Sequence, residues 1–239
     1  MSTGAVLTAA GSGSRLGRPV PKALVELAGV PLVVRAAQNL AASGCVTVLV
    51  ITVPGHVLDD FEVLFPGGRV PGHELPVRLV PGGATRQASV AAGLAALPAE
   101  VDVVLVHDAA RCLAPPELAA TVEAAVRGGR RAVVPALPVT DTIKQVDPAR
   151  ARSGAEPVTA TVDRTALRAV QTPQGFLRAA LADAHARGVD RGAAESTAAS
   201  DDAGLAEAAG EQVWVVPGDL RALKVTTPTD LALAELLLS

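Results

Sequence analysis

The feature that most constrains the fold is an alternation of short, apolar, β-branched runs with longer stretches rich in Ala and Leu. Nearly all of the runs are continuously apolar rather than alternating, which is typical of strands buried on both faces of a parallel sheet. They predict strands at residues 5–10, 46–53, 77–80, 101–106, 132–135 and 213–216. The intervening stretches predict helices at residues 31–43, 85–97, 115–127 and 176–188. We therefore expect one α/β domain over residues 1–239, with a doubly wound, mostly parallel, Rossmann-like sheet.

Composition excludes several classes of protein. The chain has 239 residues, a net charge of -3 and only 2% aromatic residues, so it has neither the basic face nor the stacking rings of a nucleic-acid-binding protein. No apolar run approaches the ~20 residues of a membrane span. Cys45 and Cys112 form no CxxC motif, which argues against a disulfide scaffold or a zinc site. With no signal-peptide pattern at the N-terminus, we expect a cytoplasmic protein whose ligand is small.

One segment, residues 142–165, interrupts the alternation of strands and helices. Two β-branched runs, 143–146 and 158–162, flank a stretch rich in Pro, Gly, Ala and charge. This pattern predicts a strand pair that projects from the domain as a β-arm. Because two strands alone are marginally stable in water, we expect the arm to pack against another subunit; a loose surface hairpin is the alternative.

The first predicted strand runs into a glycine-rich loop, residues 11–22, with the sequence GSGSRLGRPVPK. Ligands of open α/β sheets bind at the carboxyl ends of strands, and successive N–H groups of such a loop can surround a phosphate. The spacing matches neither the dinucleotide fingerprint nor the Walker A motif. Arg15, Arg18 and Lys22 of this loop would neutralise a triphosphate. Only three of the 21 basic residues are lysines, Lys22, Lys144 and Lys224, which favours a specific need for a compact ammonium group there.

Two further segments are expected at the same edge of the sheet. The fourth predicted strand ends in VHDAAR, residues 106–111, so Asp108 can bind a ribose hydroxyl or a Mg²⁺ ion that bridges phosphates. Arg111 would contact a second anionic substrate, whereas His107 would point away and be structural. Residues 81–89 contain two adjacent glycines before a helix, with its cap near position 84 or 85. Paired glycines allow the backbone to approach a flat base closely, although a plain turn is the alternative.

Six motifs follow one another along the chain: AAGSGSRLG…PK (9–22), GG..RQ.SV (82–90), VHDAAR (106–111), PV.DT.K (138–144), VDR..L…QTPQ.F (162–176) and LKVT.P.DL (223–231). Together they resemble the cytidylyltransferase family of the non-mevalonate isoprenoid pathway over nearly the whole chain. The resemblance implies a nucleotidyltransferase fold and an enzyme that transfers CMP from CTP to 2-C-methyl-D-erythritol 4-phosphate, releasing pyrophosphate. It also implies Mg²⁺ or another divalent cation, and a homodimer in which each arm completes the partner's active site.

The resemblance assigns roles to individual residues that match the family's motifs. It implies that Arg15 and Lys22 stabilise the transition state. It also implies that Arg164 and Lys224 position the methylerythritol phosphate. The implied nucleotide-binding residues are Ala9, Ala10, Gly11, Gly83, Ala84, Ser89 and Asp108. The implied contacts of the second substrate are Arg111, Thr142 and Ser200. Ala84 stands where some members carry an acidic residue, and Ser200 stands where some carry Thr. The resemblance therefore does not determine the affinity for the substrates.

Two other functions remain to be tested. A ribitol 5-phosphate cytidylyltransferase would share the nucleotide site and the arm-linked dimer, and it would differ only in the polyol pocket. A non-catalytic, nucleotide-binding regulator could dispense with Arg164 and Lys224. Because both residues are present, the sequence favours an enzyme.

Overall fold

The computed structural model describes residues 2–11, 16, 20–189 and 201–238. The strands are β1 (Ser2–Thr8), β2 (Glu26–Leu27), β3 (Val30–Pro31), β4 (Val48–Val53), β5 (Val77–Pro81), β6 (Val101–Asp108), β7 (Ala132–Pro138), β8 (Ile143–Val146), β9 (Val158–Val162), β10 (Arg168–Val170), β11 (Gln174–Leu177) and β12 (Val213–Pro217). The α-helices are α1 (Leu32–Ala42), α2 (Leu58–Glu62), α3 (Arg86–Ala96), α4 (Pro116–Arg127), α5 (Arg178–Arg187), α6 (Asp202–Ala208) and α7 (Pro228–Leu238).

The described residues form a central sheet of eight strands in which parallel pairing dominates. Strands β6, β1, β4 and β5 lie side by side in that order and pair parallel. Strand β12 pairs parallel with one edge of β7, and the other edge of β7 pairs with β10 and β11. Strand β11 lies antiparallel between β6 and β7, and β10 continues along the same edge of β7. The predicted doubly wound, mostly parallel fold is confirmed. The single-domain assignment of residues 1–239 stays a prediction.

Helices cover both faces of the sheet, which explains why its strands are continuously apolar. Leu7 of β1 belongs to a buried cluster with residues of α1 and α4. Its neighbour Val6 points to the other face and packs with Val90 of α3 and Leu181 of α5. Because successive side chains of a strand alternate between faces, burial on both sides requires an apolar residue at every position.

Strand β11 is the main departure from the predicted secondary structure. We expected a helix from residue 176, but Gln174–Leu177 is a strand and α5 begins at Arg178. This segment has only four residues and no β-branched side chain, so its local sequence does not predict a strand. Pairing with β6 and β7 determines its conformation, so tertiary context overrides local preference here.

The projecting arm is present with the strand bounds expected from the sequence. Strands β8 and β9 pair antiparallel, with Ile143 opposite Val162. The two strands form a separate sheet in which each residue is exposed or half-buried. Ile143 and Val158 are 36% and 57% exposed, which is unusual for β-branched side chains in a strand. That the arm mediates dimerisation stays a prediction.

The structure adds two facts about helix length and about the cysteines. No helix in the described part of the chain has the length and apolarity needed to cross a membrane. Cys45 and Cys112 are both free thiols, and Cys112 is buried. Burial raises the pKa of the Cys112 thiol to about 11, so this side chain acts as a small apolar residue.

Candidate active site

A cleft of about 570 Å³ lies where β1 and β6 end at Thr8 and Asp108. Residues assigned to the site from the sequence that line it are Ala9, Ala10, Gly11, Lys22, Gly83, Ala84, Ser89, Asp108 and Lys224. Lining residues that were not assigned are Thr8, Ala23, Thr85, Arg86, Ala109, Ala110 and Thr226. The fold therefore brings together segments that are more than two hundred positions apart in the chain, at the strand ends where open α/β sheets bind ligands.

The floor of the cleft is rigid because the sheet's hydrogen bonding continues beyond the strands. The Ala9 N–H donates to the Thr52 carbonyl oxygen at 2.8 Å, and the Ala109 N–H donates to the Thr8 carbonyl oxygen at 3.1 Å. Both segments after β1 and β6 are thus held in line with their strands. Lys22 lines the cleft from a short 3₁₀ turn, Lys22–Leu24.

The turn before α3 forms one wall of the cleft, which Gly83 and Ala84 line. A Cβ atom on Gly82 would lie 2.6 Å from the Ala10 Cβ atom and 2.9 Å from the Ser89 Oγ atom, so only glycine fits there. Thr85 caps α3 with its side chain. The Ser89 hydroxyl accepts from the Gly83 N–H at 3.1 Å and donates to the Thr85 carbonyl oxygen at 2.9 Å. Ser89 therefore holds the turn in shape as well as lining the cleft.

Asp108 is the acidic residue that lines the cleft among the described residues, and it is surrounded by donors. Its Oδ2 atom is 2.7 Å from Lys224 Nζ, and its Oδ1 atom is 3.2 Å from Arg86 Nε. The Thr8 hydroxyl also donates to Oδ1 at 3.2 Å. Burial alone would raise the pKa of Asp108, but the charges of Arg86 and Lys224 outweigh it and hold this pKa well below its usual range. The carboxylate is ionised at neutral pH.

Arg86 is the most informative residue that sequence reasoning missed. Besides Asp108, its guanidinium contacts Asp202, with Nη1 at 2.7 Å from Oδ2. Asp202 is fully buried, and its other oxygen lies 3.0 Å from His185 Nε2. Burial works against the charge of Arg86, but the two carboxylates raise its pKa above the ordinary value. The available signal in the sequence was the position of Arg86 within the motif of residues 82–90. We assigned Gly83, Ala84 and Ser89 of that motif to the nucleotide site and gave Arg86 no role.

Arg111 lies beside the cleft rather than on its lining. Nη1 donates to the Ala222 carbonyl oxygen at 2.6 Å, and Nη2 donates to the Val170 carbonyl oxygen at 3.2 Å. Its Nε atom is buried and has no hydrogen-bond partner among the described residues. Burial lowers the pKa of Arg111. In this structure Arg111 supports the backbone that leads to Lys224, and its contact with a second substrate stays a prediction.

His107 is buried behind the cleft, as expected for a structural histidine. Its Nδ1 atom lies 2.8 Å from the Thr172 hydroxyl oxygen, which also accepts from the Asp108 N–H at 3.1 Å. Burial lowers the pKa of His107 to about 4, so the ring is neutral at pH 7.

Two further assigned residues, Arg164 and Thr142, do not line the cleft of their own chain. Arg164 and Thr142 are exposed at the base of the arm, and the Arg164 guanidinium donates to the Thr140 carbonyl oxygen. Arg15 and Ser200 lie outside the described residues. Their roles stay predictions.

The described residues offer little to a metal ion on their own. They contain no group of three or more His, Cys, Asp and Glu side chains that could hold one. A single carboxylate, Asp108, faces the described part of the cleft. This donor set fits Mg²⁺ only if substrate phosphates supply most of the ligands, which is the usual arrangement for Mg²⁺ in nucleotide enzymes.

A mostly parallel sheet, a cleft at its strand ends and lysines from distant motifs together define an α/β nucleotidyltransferase-type protein. The chain belongs to the IspD family, 2-C-methyl-D-erythritol 4-phosphate cytidylyltransferase, whose profile matches residues 3–239. The members of this family are cytidylyltransferase enzymes, so the non-catalytic alternative is not supported.

Individual relatives agree along the whole chain. A Streptomyces coelicolor protein with that same name is 48% identical over 241 residues, which is 99% of this chain and 85% of that protein. Its namesake from Nocardia farcinica is 49% identical, covering 98% of this chain and 93% of that protein. The crystal structure of the 2-C-methyl-D-erythritol 4-phosphate cytidylyltransferase of Thermus thermophilus is 35% identical, with a TM-score of 0.74, covering 99% of this chain and 98% of that chain.

Proposed function

We propose that this chain transfers CMP from CTP to 2-C-methyl-D-erythritol 4-phosphate, forming 4-diphosphocytidyl-2-C-methyl-D-erythritol and pyrophosphate. One observation carries the proposal: in a chain that belongs to the IspD family, residues from the separate motifs around Ala9, Lys22, Gly83, Asp108 and Lys224 line one cleft. The names of the relatives favour this substrate over ribitol 5-phosphate.

The reaction requires no covalent enzyme intermediate. A phosphate oxygen of the methylerythritol phosphate attacks the α-phosphorus of CTP and forms a new phosphorus–oxygen bond. The bond from the α-phosphorus to the oxygen bridging the β-phosphate breaks, and its electron pair leaves with pyrophosphate. Because the nucleophile is already an anion, no general base is needed. Catalysis reduces to positioning the two phosphates and stabilising negative charge.

In this proposal four cations divide the work, of which Lys22 and Lys224 line the described cleft. Lys22 and Arg15 neutralise the triphosphate and its transition state. Lys224 and Arg164 position the phosphate of the second substrate. The contact between Lys224 and Asp108 at 2.7 Å supports this assignment because both side chains line the cleft and the contact holds the ammonium group there. An ammonium can approach a single phosphate oxygen closely and from many directions.

We include Mg²⁺ or another divalent cation as a partner of the CTP phosphates, with Asp108 as the protein carboxylate that could share it. Such an ion supplies additional positive charge to the triphosphate when bound. In the structure both Asp108 oxygens face cations, Arg86 and Lys224, so the same carboxylate also orients protein groups.

The working enzyme in this proposal is a cytoplasmic homodimer with shared active sites. Arg164 and Thr142 are exposed on the arm and do not line the cleft of their own chain. In the dimer, the Arg164 and Thr142 side chains would reach the cleft of the neighbouring subunit. That subunit would also cover the apolar residues of the arm. No nucleic acid or membrane is required.

Pyrophosphate release by the purified protein tests this function directly. CTP and Mg²⁺ are supplied with either 2-C-methyl-D-erythritol 4-phosphate or ribitol 5-phosphate. We expect release with the first substrate only. Release with ribitol 5-phosphate alone would contradict the substrate assignment, and release with neither would contradict the reaction.

A further inference from the structure

Lys224 does not belong to an α-helix or a β-strand, so other contacts must determine its position. It follows a 3₁₀ turn, Leu220–Ala222, that begins after Asp219. The turn ends with the Ala222 carbonyl oxygen accepting from Arg111. One residue after Lys224, the Val225 N–H donates to the Ala110 carbonyl oxygen at 2.8 Å. We call residues 218–225 the lysine loop.

The start of the lysine loop is held by a buried amide, Gln171. Its Nε2 atom donates to the Asp219 carbonyl oxygen at 2.8 Å, and its Oε1 atom accepts from the Asp219 N–H at 3.0 Å. Gln171 is only 5% exposed and is not on the lining of the cleft. A carboxamide is suited to this place because it supplies one donor and one acceptor to the same backbone residue.

The neighbouring glycine shows that the chain makes room for this contact. A Cβ atom on Gly218 would overlap the Gln171 Oε1 atom and would lie 3.0 Å from the Ala136 carbonyl carbon. Glycine therefore allows the amide of Gln171 to reach the backbone at the start of the loop. The backbone also ties Gly218 to the sheet, since its N–H donates to the Ala136 carbonyl oxygen at 2.9 Å.

Gln171 begins a short buried segment whose other side chains hold neighbouring parts of the site. The Thr172 hydroxyl accepts from the Asp108 N–H. Gln174 donates to Asp201 Oδ2 at 2.7 Å and accepts from the Ala203 N–H at 3.1 Å, at the start of α6. The sequence analysis found QTPQ within the motif of residues 162–176 but assigned its residues no role.

We propose that Gln171 is a positioning residue that acts through Lys224 and keeps its ammonium group at the place where the second substrate's phosphate binds. The inference rests on the proposed function, which gives Lys224 its task. Gln171 touches neither substrate. Its two hydrogen bonds set where the lysine loop starts, and Arg111 and Ala110 hold the loop further on.

Replacing Gln171 by Met tests this role with little change in side-chain volume. The thioether cannot make either hydrogen bond to Asp219, so the start of the loop loses two of its contacts, and we expect the loop and the Lys224 ammonium group to shift. A displacement of about 1 Å at a positioning group can reduce turnover by about 100-fold. We expect kcat/KM for 2-C-methyl-D-erythritol 4-phosphate to fall by about 10- to 100-fold.

The decisive measurement is a double-mutant cycle between positions 171 and 224. Wild type, Gln171→Met, Lys224→Ala and the double variant are compared by pyrophosphate release, and the affinity for CTP is measured by calorimetry. If Gln171 acts through Lys224, the Met substitution costs less than about 2-fold once Lys224 is gone. The Kd for CTP stays within about 2-fold of the wild-type value, because the nucleotide side of the cleft has other anchors.

Gln38→Met is the matched control. Gln38 also donates to a backbone carbonyl, that of Pro71 at 3.2 Å, but it is outside the cleft. We expect it to leave kcat/KM unchanged. Thermal melting of each variant shows that the folded state is retained at the assay temperature.

Three results would overturn the inference while the wild type remains active with CTP and methylerythritol phosphate. They are an unchanged kcat/KM in Gln171→Met, an equal loss in the presence and absence of Lys224, and a parallel loss of CTP affinity. An inactive wild type would instead refute the proposed function, so the two failures are distinguishable.

Discussion

Replacing Arg86 by Met should destabilise the protein strongly, because it removes a cation shared by two buried carboxylates. Asp108 would keep Lys224 at 2.7 Å and the Thr8 hydroxyl. Asp202, with no exposed surface, would keep only His185 as a side-chain partner among the described residues. Removing one partner of a buried ion pair costs about 3–5 kcal/mol, and we take the lower end because each carboxylate retains another contact.

For a chain of this length a loss of about 3 kcal/mol lowers the melting temperature by about 6–12 °C. The assay is thermal unfolding followed by circular dichroism at pH 7. The matched control is Arg131→Met, which removes a bidentate ion pair with Glu211 whose arginine side chain is 51% exposed. We expect the control to melt within about 2 °C of the wild type.

A second substitution separates the loss of the ion pair from a loss of packing. Adding Asp202→Asn to Arg86→Met removes the uncompensated buried charge, so the double variant should recover at least half of the lost melting temperature. The reasoning is refuted if Arg86→Met melts like the control. It is also refuted if the double variant is no more stable than Arg86→Met alone.

Three further predictions concern pH, the glycine turn and the arm. Burial alone would raise the pKa values of Asp108 and Asp202, but the charge of Arg86 outweighs it and lowers both. Their stabilisation is therefore present above about pH 4 and is lost as pH falls towards the folded-state pKa values. Urea titrations should show stability that is constant between pH 7 and about pH 5 and declines from there to about pH 2, and a flat profile below about pH 4 would contradict this. Gly82→Val should raise the KM for CTP at least about 10-fold, because a side chain there would meet Ala10 and Ser89, and an unchanged KM would argue against the wall. Arg164→Ala and Lys22→Ala subunits, each inactive alone, should regain up to about a quarter of wild-type activity when mixed as heterodimers; no recovery despite demonstrated subunit exchange would exclude a shared site.

Much of the fold could be predicted because burial on both faces of the sheet leaves a direct mark on composition. The runs around Leu7, Val50 and Leu105 are apolar at nearly all positions, and all three residues are fully buried. The two strands of the arm could also be predicted, since β-branched runs on either side of a Pro- and Gly-rich stretch are typical of a strand pair. The strand at Gln174–Leu177 could not be predicted from its local sequence, because its pairing partners β6 and β7 are far away in sequence.

The site was predicted in part for a similar reason. Glycines, cations and an aspartate that follow strands are recognisable in sequence, and the residues from Ala9 to Gly11 and from Gly83 to Arg86 line the cleft. Arg86 and Gln171 carry no such local mark of their roles. Each acts through contacts with residues roughly 20 to more than 100 positions away, and such contacts exist only in the folded chain.

The chain's local chemistry was sufficient to set its strands, its glycine turns and the cations available to a phosphate, because these depend on residue type and on spacing over a few positions. Folding decided which of those groups meet. It paired Asp108 with Lys224 across more than a hundred residues, buried Asp202 against Arg86, and anchored the lysine loop on Gln171. The physical reason is that charge pairing and hydrogen bonding act over a few ångströms of space, whatever the distance along the chain.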